Sequence, residues 1–202
     1  MKIALIGATG NAGTPILNEL VRRGHAVTAI VRNPDKVAAQ TNVTARKGDV
    51  FDQNGLAALL KGHDAVISSV HFSASDPNKL IEAVRASGAK RYLVVGGAGS
   101  LEVAPGKKLI DTPEFPAQYK AEAAAGGVFL DLLKQEKELD WTFLSPSALF
   151  IAGPRTEKFR LGTDQLLTNE KGSNISFEDY AIALVDEVEK QAHSRKRFTV
   201  GY

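Results

Sequence analysis

The chain has 202 residues, a length that suits one α/β domain, and its 44% apolar and 24% charged content is close to the globular average, which excludes a largely disordered polymer. Lys and Arg number 25 against 23 Asp and Glu, a net charge of +2 that calls for neither nucleic acid nor a membrane surface as partner. There is no cysteine, which removes disulfides and thiolate chemistry, and the histidines at 25, 63, 71 and 193 lack the spacing of paired metal ligands. No stretch reaches the roughly 18 apolar residues of a membrane span, and the apolar opening turns into glycine instead of continuing as a signal-peptide core. A cytoplasmic chain without a metal is expected.

Residues 3–6 form a short apolar run and residues 26–31 another. Between them Ile16, Leu17, Leu20 and Val21 recur at helical spacing before Gly24. This is strand, helix, strand within the span of one βαβ unit. The rhythm repeats. Residues 43–47 read as a weaker strand, Leu56, Leu59 and Leu60 as a helix face ending at Gly62, and 65–70 as a strong strand. Leu80, Ile81 and Val84 mark the next helix, stopped by Gly88, and 92–95 a fifth strand. The connection through Pro105, Pro113 and Pro116 leads to a helix over 117–137, then a sixth strand over 141–144 that ends at Ser145-Pro146. Residues 150–174 show no period and read as loop or short hairpin. Ser176 and Asp179 form a capping box before a helix with Ala181, Leu184, Val185 and Val188 on its apolar face. The basic run 194–197 reads as that helix's solvated end, and 198–200 as a last strand. Alternation this regular predicts a single α/β domain over 1–202, a doubly wound, mostly parallel Rossmann-type sheet with helices on both faces and strand order 3-2-1-4-5-6. A small C-terminal part, about 146–202, is expected to cover the substrate.

Gly7-Ala8-Thr9-Gly10-Asn11-Ala12-Gly13 lies between the first strand and the first helix. Glycines there permit a tight turn and a close backbone approach, and the amides of the helix start face an anion, so a dinucleotide pyrophosphate is the expected ligand. At the end of the second strand, where an acidic residue would hold a ribose 2′-hydroxyl, stands Arg32. Its guanidinium suits a 2′-phosphate, which favours NADP(H) over NAD(H). Asp49 and Val50, after the third strand, border an adenine, or Asp49 caps the next helix. Ser68 and Ser69 end the fourth strand and Gly96 and Gly97 the fifth, small residues that leave room for a flat ring. His71 is the one histidine at that edge, either a substrate contact or a loop histidine bonded to backbone. Arg155 and Arg160 either meet a flavin phosphate or are surface charges.

Residues 2–13 (KIALIGATGNAG), 31–36 (VRNPDK), 96–101 (GGAGSL), 141–146 (WTFLSP) and 175–180 (ISFEDY) together resemble the atypical short-chain dehydrogenase/reductases with an NAD(P)H-binding, NmrA-like fold. Within them the chain is most similar to small bacterial proteins named NADH-flavin reductases, relatives of biliverdin reductase B. The resemblance spans nearly the whole chain and implies an NAD(P)H-dependent oxidoreductase. Members of the wider superfamily reduce carbonyls with a Tyr-x-x-x-Lys pair, whose lysine makes the tyrosine a proton donor. Tyr119 stands in the matching region, but Ala123 lies four residues on, and neighbouring Lys120 points away on a helix. The superfamily serine is displaced as well, glycines taking its place and Ser100 lying further along. Ser100, Tyr119 and His71 are the remaining catalytic candidates.

An acceptor whose reduced form spreads its charge over a ring asks little of an acid, so a flavin (FMN or FAD) or a quinone is the expected partner in turnover. The alternative is a protein that binds NADP(H) and reports redox state without turnover. A planar small molecule, no nucleic acid, no membrane, and a monomer or homodimer complete the expectation.

Overall fold

A computed structural model describes all 202 residues. The apolar runs fold into strands buried on both faces, and the periodic stretches into helices that cover them. In chain order these are β1 (Lys2–Ile6), α1 (Gly13–Arg22), β2 (Ala26–Val31), β3 (Val43–Lys47), α2 (Gln53–Leu60), β4 (Ala65–Ser68), α3 (Pro77–Ser87) and β5 (Arg91–Val95). There follow β6 (Glu102–Ala104), β7 (Lys107–Lys108), α4 (Lys120–Gln135), β8 (Asp140–Pro146), β9 (Leu149–Ile151), β10 (Arg160–Gly162), β11 (Asn174–Ser176), α5 (Phe177–Lys190) and β12 (Lys196–Gly201).

The main sheet has eight strands in the order β10-β12-β8-β5-β4-β1-β2-β3. The expected 3-2-1-4-5-6 order is its heart, with β8 as sixth strand, and every pairing there is parallel. Beyond it β12 adds in parallel and β10 closes the edge antiparallel. Alternate residues of each strand enter two cores. Ile3, Leu5, Ala29, Ile67 and Leu93 pack under α1 and α5 with Ile16, Leu20, Leu184 and Val188. Ala4, Ile6, Val66, Tyr92 and Phe143 pack under α2, α3 and α4 with Leu56, Leu80, Val84 and Phe129. Helices on both faces follow directly from strands apolar on both sides.

Several local expectations are corrected. Residues 150–174 hold the expected loop over 152–159 and a tight hairpin bridge between Asn169 and Gly172, but also short strands outside that expectation: β9 pairs in parallel with β11, while β10 pairs with β12. Their strands are three residues each, too short for periodicity to register. The Pro-rich connection holds the small β6–β7 hairpin around Gly106. The expected helix start at 117 is a 3-10 turn, and the helix proper ends at Gln135. The capping box is half formed. Ser176 Oγ accepts the Asp179 amide, but the Asp179 carboxylate turns away to the amides of Thr156 and Glu157 and to the Tyr202 hydroxyl. The basic run 194–197 is not a helix end, because α5 stops at Lys190 with Gln191 left-handed behind it; Ser194 and Arg195 lie in a turn, and Lys196 and Arg197 begin β12.

Candidate functional site at the carboxyl edge of the sheet

The expected site residues other than Ser100 and Tyr119 lie at or just beyond the carboxyl ends of β1 to β5, where β1 and β4 diverge into crossovers on opposite faces. Gly7 leaves β1 with φ +84°, and its amide donates to Ile30 O of β2 at 2.9 Å. A β-carbon on Gly7 would stand 2.0 Å from the Ser69 carbonyl oxygen, and one on Gly13 would stand 2.0 Å from Gly7 O. The bend is therefore clamped between β4 and the first turn of α1, and both glycines are required by contact. Gly10 differs. Its nearest neighbour to a β-carbon is Gly7 O at 3.4 Å, and it is exposed together with Thr9 and Asn11. Room at Gly10 faces outward.

The start of α1 has no side-chain cap and no acidic residue in its first turn. The amides of Asn11, Ala12 and Gly13 meet no protein acceptor, whereas those of Gly10 and Thr14 bond Gly7 O and Gly10 O. Three adjoining unpaired amides at a helix start have the donors and the dipole that suit an anion. Arg32 follows β2 beside this bend, exposed and in no ion pair. Asp49 does not cap α2; that part is taken by Asp52, which accepts the Gly55 amide, while Asp49 closes a tight turn by accepting the Phe51 amide at 2.9 Å. Val50, half-buried, packs on the core.

At the ends of β4 and β5 the structure separates residues that the sequence groups. The Ser68 hydroxyl is buried and bonded to Tyr92 OH at 3.0 Å, so it supports the strand from below, whereas Ser69 is partly open beside Gly7. Burial pushes the Tyr92 phenol up, beyond the usual range. Gly96 lies against Phe143, where a β-carbon would meet Cε1 at 2.5 Å, and its amide donates to Leu144 O. Gly97 sits beside Phe72, where a β-carbon would make ordinary contact with Cε2 at 3.5 Å.

The catalytic candidates part company. Ser100 is drawn away from the edge and accepts from Arg197 Nη1 at 3.3 Å, next to the Arg197–Asp164 ion pair. Tyr119 is 59% exposed and has no lysine partner. His71 stands at the start of the turn after β4 without a side-chain capping bond and faces Glu122, a residue that the sequence does not single out because a lone glutamate on a helix carries no signal. Arg155 and Arg160 are occupied structurally: Arg155 binds Glu19 at 2.8 Å, and Arg160 donates to the carbonyls of Thr168 and Tyr202. No helix is long and apolar enough to cross a membrane.

A family described as NAD(P)H-binding matches residues 7–191. The uncharacterized protein YwnB of Bacillus subtilis is 46% identical over 99% of this chain and 98% of its own. A Bacteroides thetaiotaomicron structure, provisionally described as an epimerase, is 42% identical with a TM-score of 0.95 and covers 100% of this chain and 96% of that one. A Streptococcus pneumoniae structure, provisionally described as an NADH-flavin reductase, is 43% identical with a TM-score of 0.86, covering 100% and 99%. With its Rossmann-type sheet, its open glycine bend and this match, the chain belongs to the NAD(P)H-binding family of oxidoreductases, among the atypical short-chain dehydrogenase/reductases.

Proposed function

We propose that this chain is an NADPH-dependent reductase that passes a hydride to a flat, delocalised acceptor, a flavin or a quinone. One observation carries the reading: the glycine bend offers three unpaired amides, while the tyrosine–lysine acid of carbonyl reductases is missing beside it. The residues fit a dinucleotide, since the unpaired amides of Asn11, Ala12 and Gly13 need acceptors and Gly10 leaves the approach open. When bound, the dinucleotide supplies the hydride.

The chain's own part is binding, orientation and exclusion of water. Gly7 and Gly13 set the bend, and Thr9, Gly10, Asn11 and Ala12 meet the pyrophosphate. Arg32 pairs with the 2′-phosphate and so prefers NADPH to NADH. Asp49 and Val50 border the adenine, while Ser69, Gly96 and Gly97 bound the space for the nicotinamide, with Ser68 bracing β4 through Tyr92. Residues 147–159, which leave β8 at this edge and return at Arg160, form the acceptor's wall within the C-terminal part 146–202. That wall is firm, because Asp179 accepts the amides of Thr156 and Glu157 and Arg155 is tied to Glu19 on α1. Holding two flat rings together supplies most of the acceleration, so the tyrosine–lysine acid of carbonyl reductases is dispensable. The reading places the reaction in the cytoplasm, where reduced dinucleotide is regenerated.

The test is NADPH oxidation, followed by absorbance, with FMN, FAD and menadione. Turnover with at least one supports the reading. Tight dinucleotide binding without turnover across a broad acceptor panel replaces it with the sensor.

A further inference from the structure

After β4 the chain passes through Ser69, Val70 and His71 into a short 3-10 turn, Phe72–Ala74. One side chain from the first turn of α4 holds that turn. Glu122 Oε1 accepts the Phe72 amide at 2.7 Å, and Oε2 accepts the Ser73 amide at 2.9 Å together with the Ser73 hydroxyl. From below, Phe72 stacks on Phe143 with centroids 6.1 Å apart and meets Phe129 edge-on at 5.9 Å. Gly126 of α4 lets the ring in, since a β-carbon there would stand 2.8 Å from Phe72 Cε2. The segment that carries His71 is thus fixed from two sides, as a working side chain at an edge requires.

His71 itself is 84% exposed, and its Nδ1 lies 3.4 Å from Glu122 Oε1. Burial works to raise the Glu122 carboxyl, but the bonds from Ser73 and Phe72 outweigh it and hold the group below the usual carboxylate range. An ionised carboxylate beside Nδ1 favours a proton on that nitrogen and leaves Nε2 on the open side of the ring. The other charged groups on the packed elements are engaged or turned out. Asp76 caps α3 through the amides of Asn78 and Lys79, Lys79 Nζ donates to Phe51 O, and Tyr119 and Lys120 stand exposed without an ion pair. His71 and Glu122 form an imidazole–carboxylate pair at the end of β4.

We propose that His71, oriented by Glu122, delivers the proton that completes reduction of the acceptor. The proposal rests on the reductase reading above. A hydride drawn from the reduced dinucleotide reduces the acceptor by two electrons. The resulting anionic oxygen or nitrogen then takes the proton from Nε2 of the imidazolium, breaking that N–H bond. His71 is left neutral with Nδ1–H toward Glu122 and regains a proton from water. His71 is the catalytic residue in this step and Glu122 the positioning residue.

The test uses the full chain with NADPH and a quinone. His71→Ala lowers kcat roughly 10²-fold, the lower end of what a positioned acid contributes, while the KM and the dinucleotide Kd stay within about twofold. Added imidazole restores the rate in a saturable manner, which a merely structural histidine would not allow. Independently of turnover, 15N NMR of the dinucleotide-free protein shows the Nδ1–H tautomer of His71, and Glu122→Gln moves it toward Nε2–H. His71→Gln, which leaves the three hydrogen bonds of Glu122 in place, repeats the kcat comparison should Glu122→Gln loosen the turn. Turnover by His71→Ala at the wild-type rate, no response to imidazole, or an unchanged tautomer in Glu122→Gln overturns the proposal and leaves the reductase reading intact. A wild-type chain inert toward every flat acceptor overturns both.

Discussion

The carbonyl oxygen of Gly7 lies 2.0 Å from the point where a β-carbon on Gly13 would stand, so the exit of β1 and the start of α1 touch backbone to backbone. Gly10, three residues from each, has no such contact. The three glycines of one motif thus divide into two held by backbone contact and one that is not.

This division predicts different outcomes for similar substitutions. Gly13→Ala must displace backbone, and Gly7→Ala must also hold a left-handed residue; each is expected to destabilise by about 1–3 kcal/mol or more. Gly10→Val is expected to fold with a nearly unchanged melting temperature yet lose dinucleotide binding. Thermal melts beside a fluorescence titration check this, and normal NADPH affinity in Gly10→Val would contradict the assigned approach.

Arg32 is exposed and unpaired beside the bend. Replacing it with alanine is expected to weaken NADPH by roughly 10- to 100-fold, the range for losing a charge-assisted hydrogen bond, and NADH far less. Equal losses for the two coenzymes in calorimetry would remove the phosphate role.

Glu19 predicts an acid limb of stability. Burial works to raise its carboxyl, but bonds from Arg22 and Arg23 and the charge of Arg155 bring it down from 4.5 to about 2. A carboxyl lowered in the folded state contributes stability that is present above the unfolded value and lost as pH falls through the folded one. Urea melts between about pH 5 and 2 are expected to show a loss of at most about 3 kcal/mol, lessened by solvent screening, and Glu19→Gln to flatten that limb. An unchanged limb in the variant would assign it to other carboxylates.

The last residue of the chain is tied to the first turn of α5: Tyr202 OH donates to Asp179 Oδ2 at 2.7 Å. Tyr202→Phe is expected to cost about 1 kcal/mol, a typical net hydrogen bond, and Asp179→Ala more, because it strips the amides of Thr156 and Glu157 of their buried acceptor. Hydrogen exchange over residues 152–158 reads the effect. Protection that survives Asp179→Ala would show that the wall stands without this anchor.

Periodicity and turn chemistry alone located β1 to β5, α1 to α3, β8, α5 and β12, because strands covered on both faces write continuous apolar runs and helices write period-3.6 stripes. The glycine bend and Arg32 were legible for the same reason, being local features at a recognisable junction. Three-residue strands such as β9 and β11 were not, since they exist only by pairing with each other across 22 intervening residues, 152 to 173. Nor could spacing tell Ser68 from Ser69, one turned to Tyr92 and the other to the edge, or show that Ser100 is taken by Arg197. The pairing of His71 with Glu122 spans a helix, a strand and a hairpin; such a contact arises only when packing of Phe72 against Phe143 and Gly126 brings α4 over the end of β4.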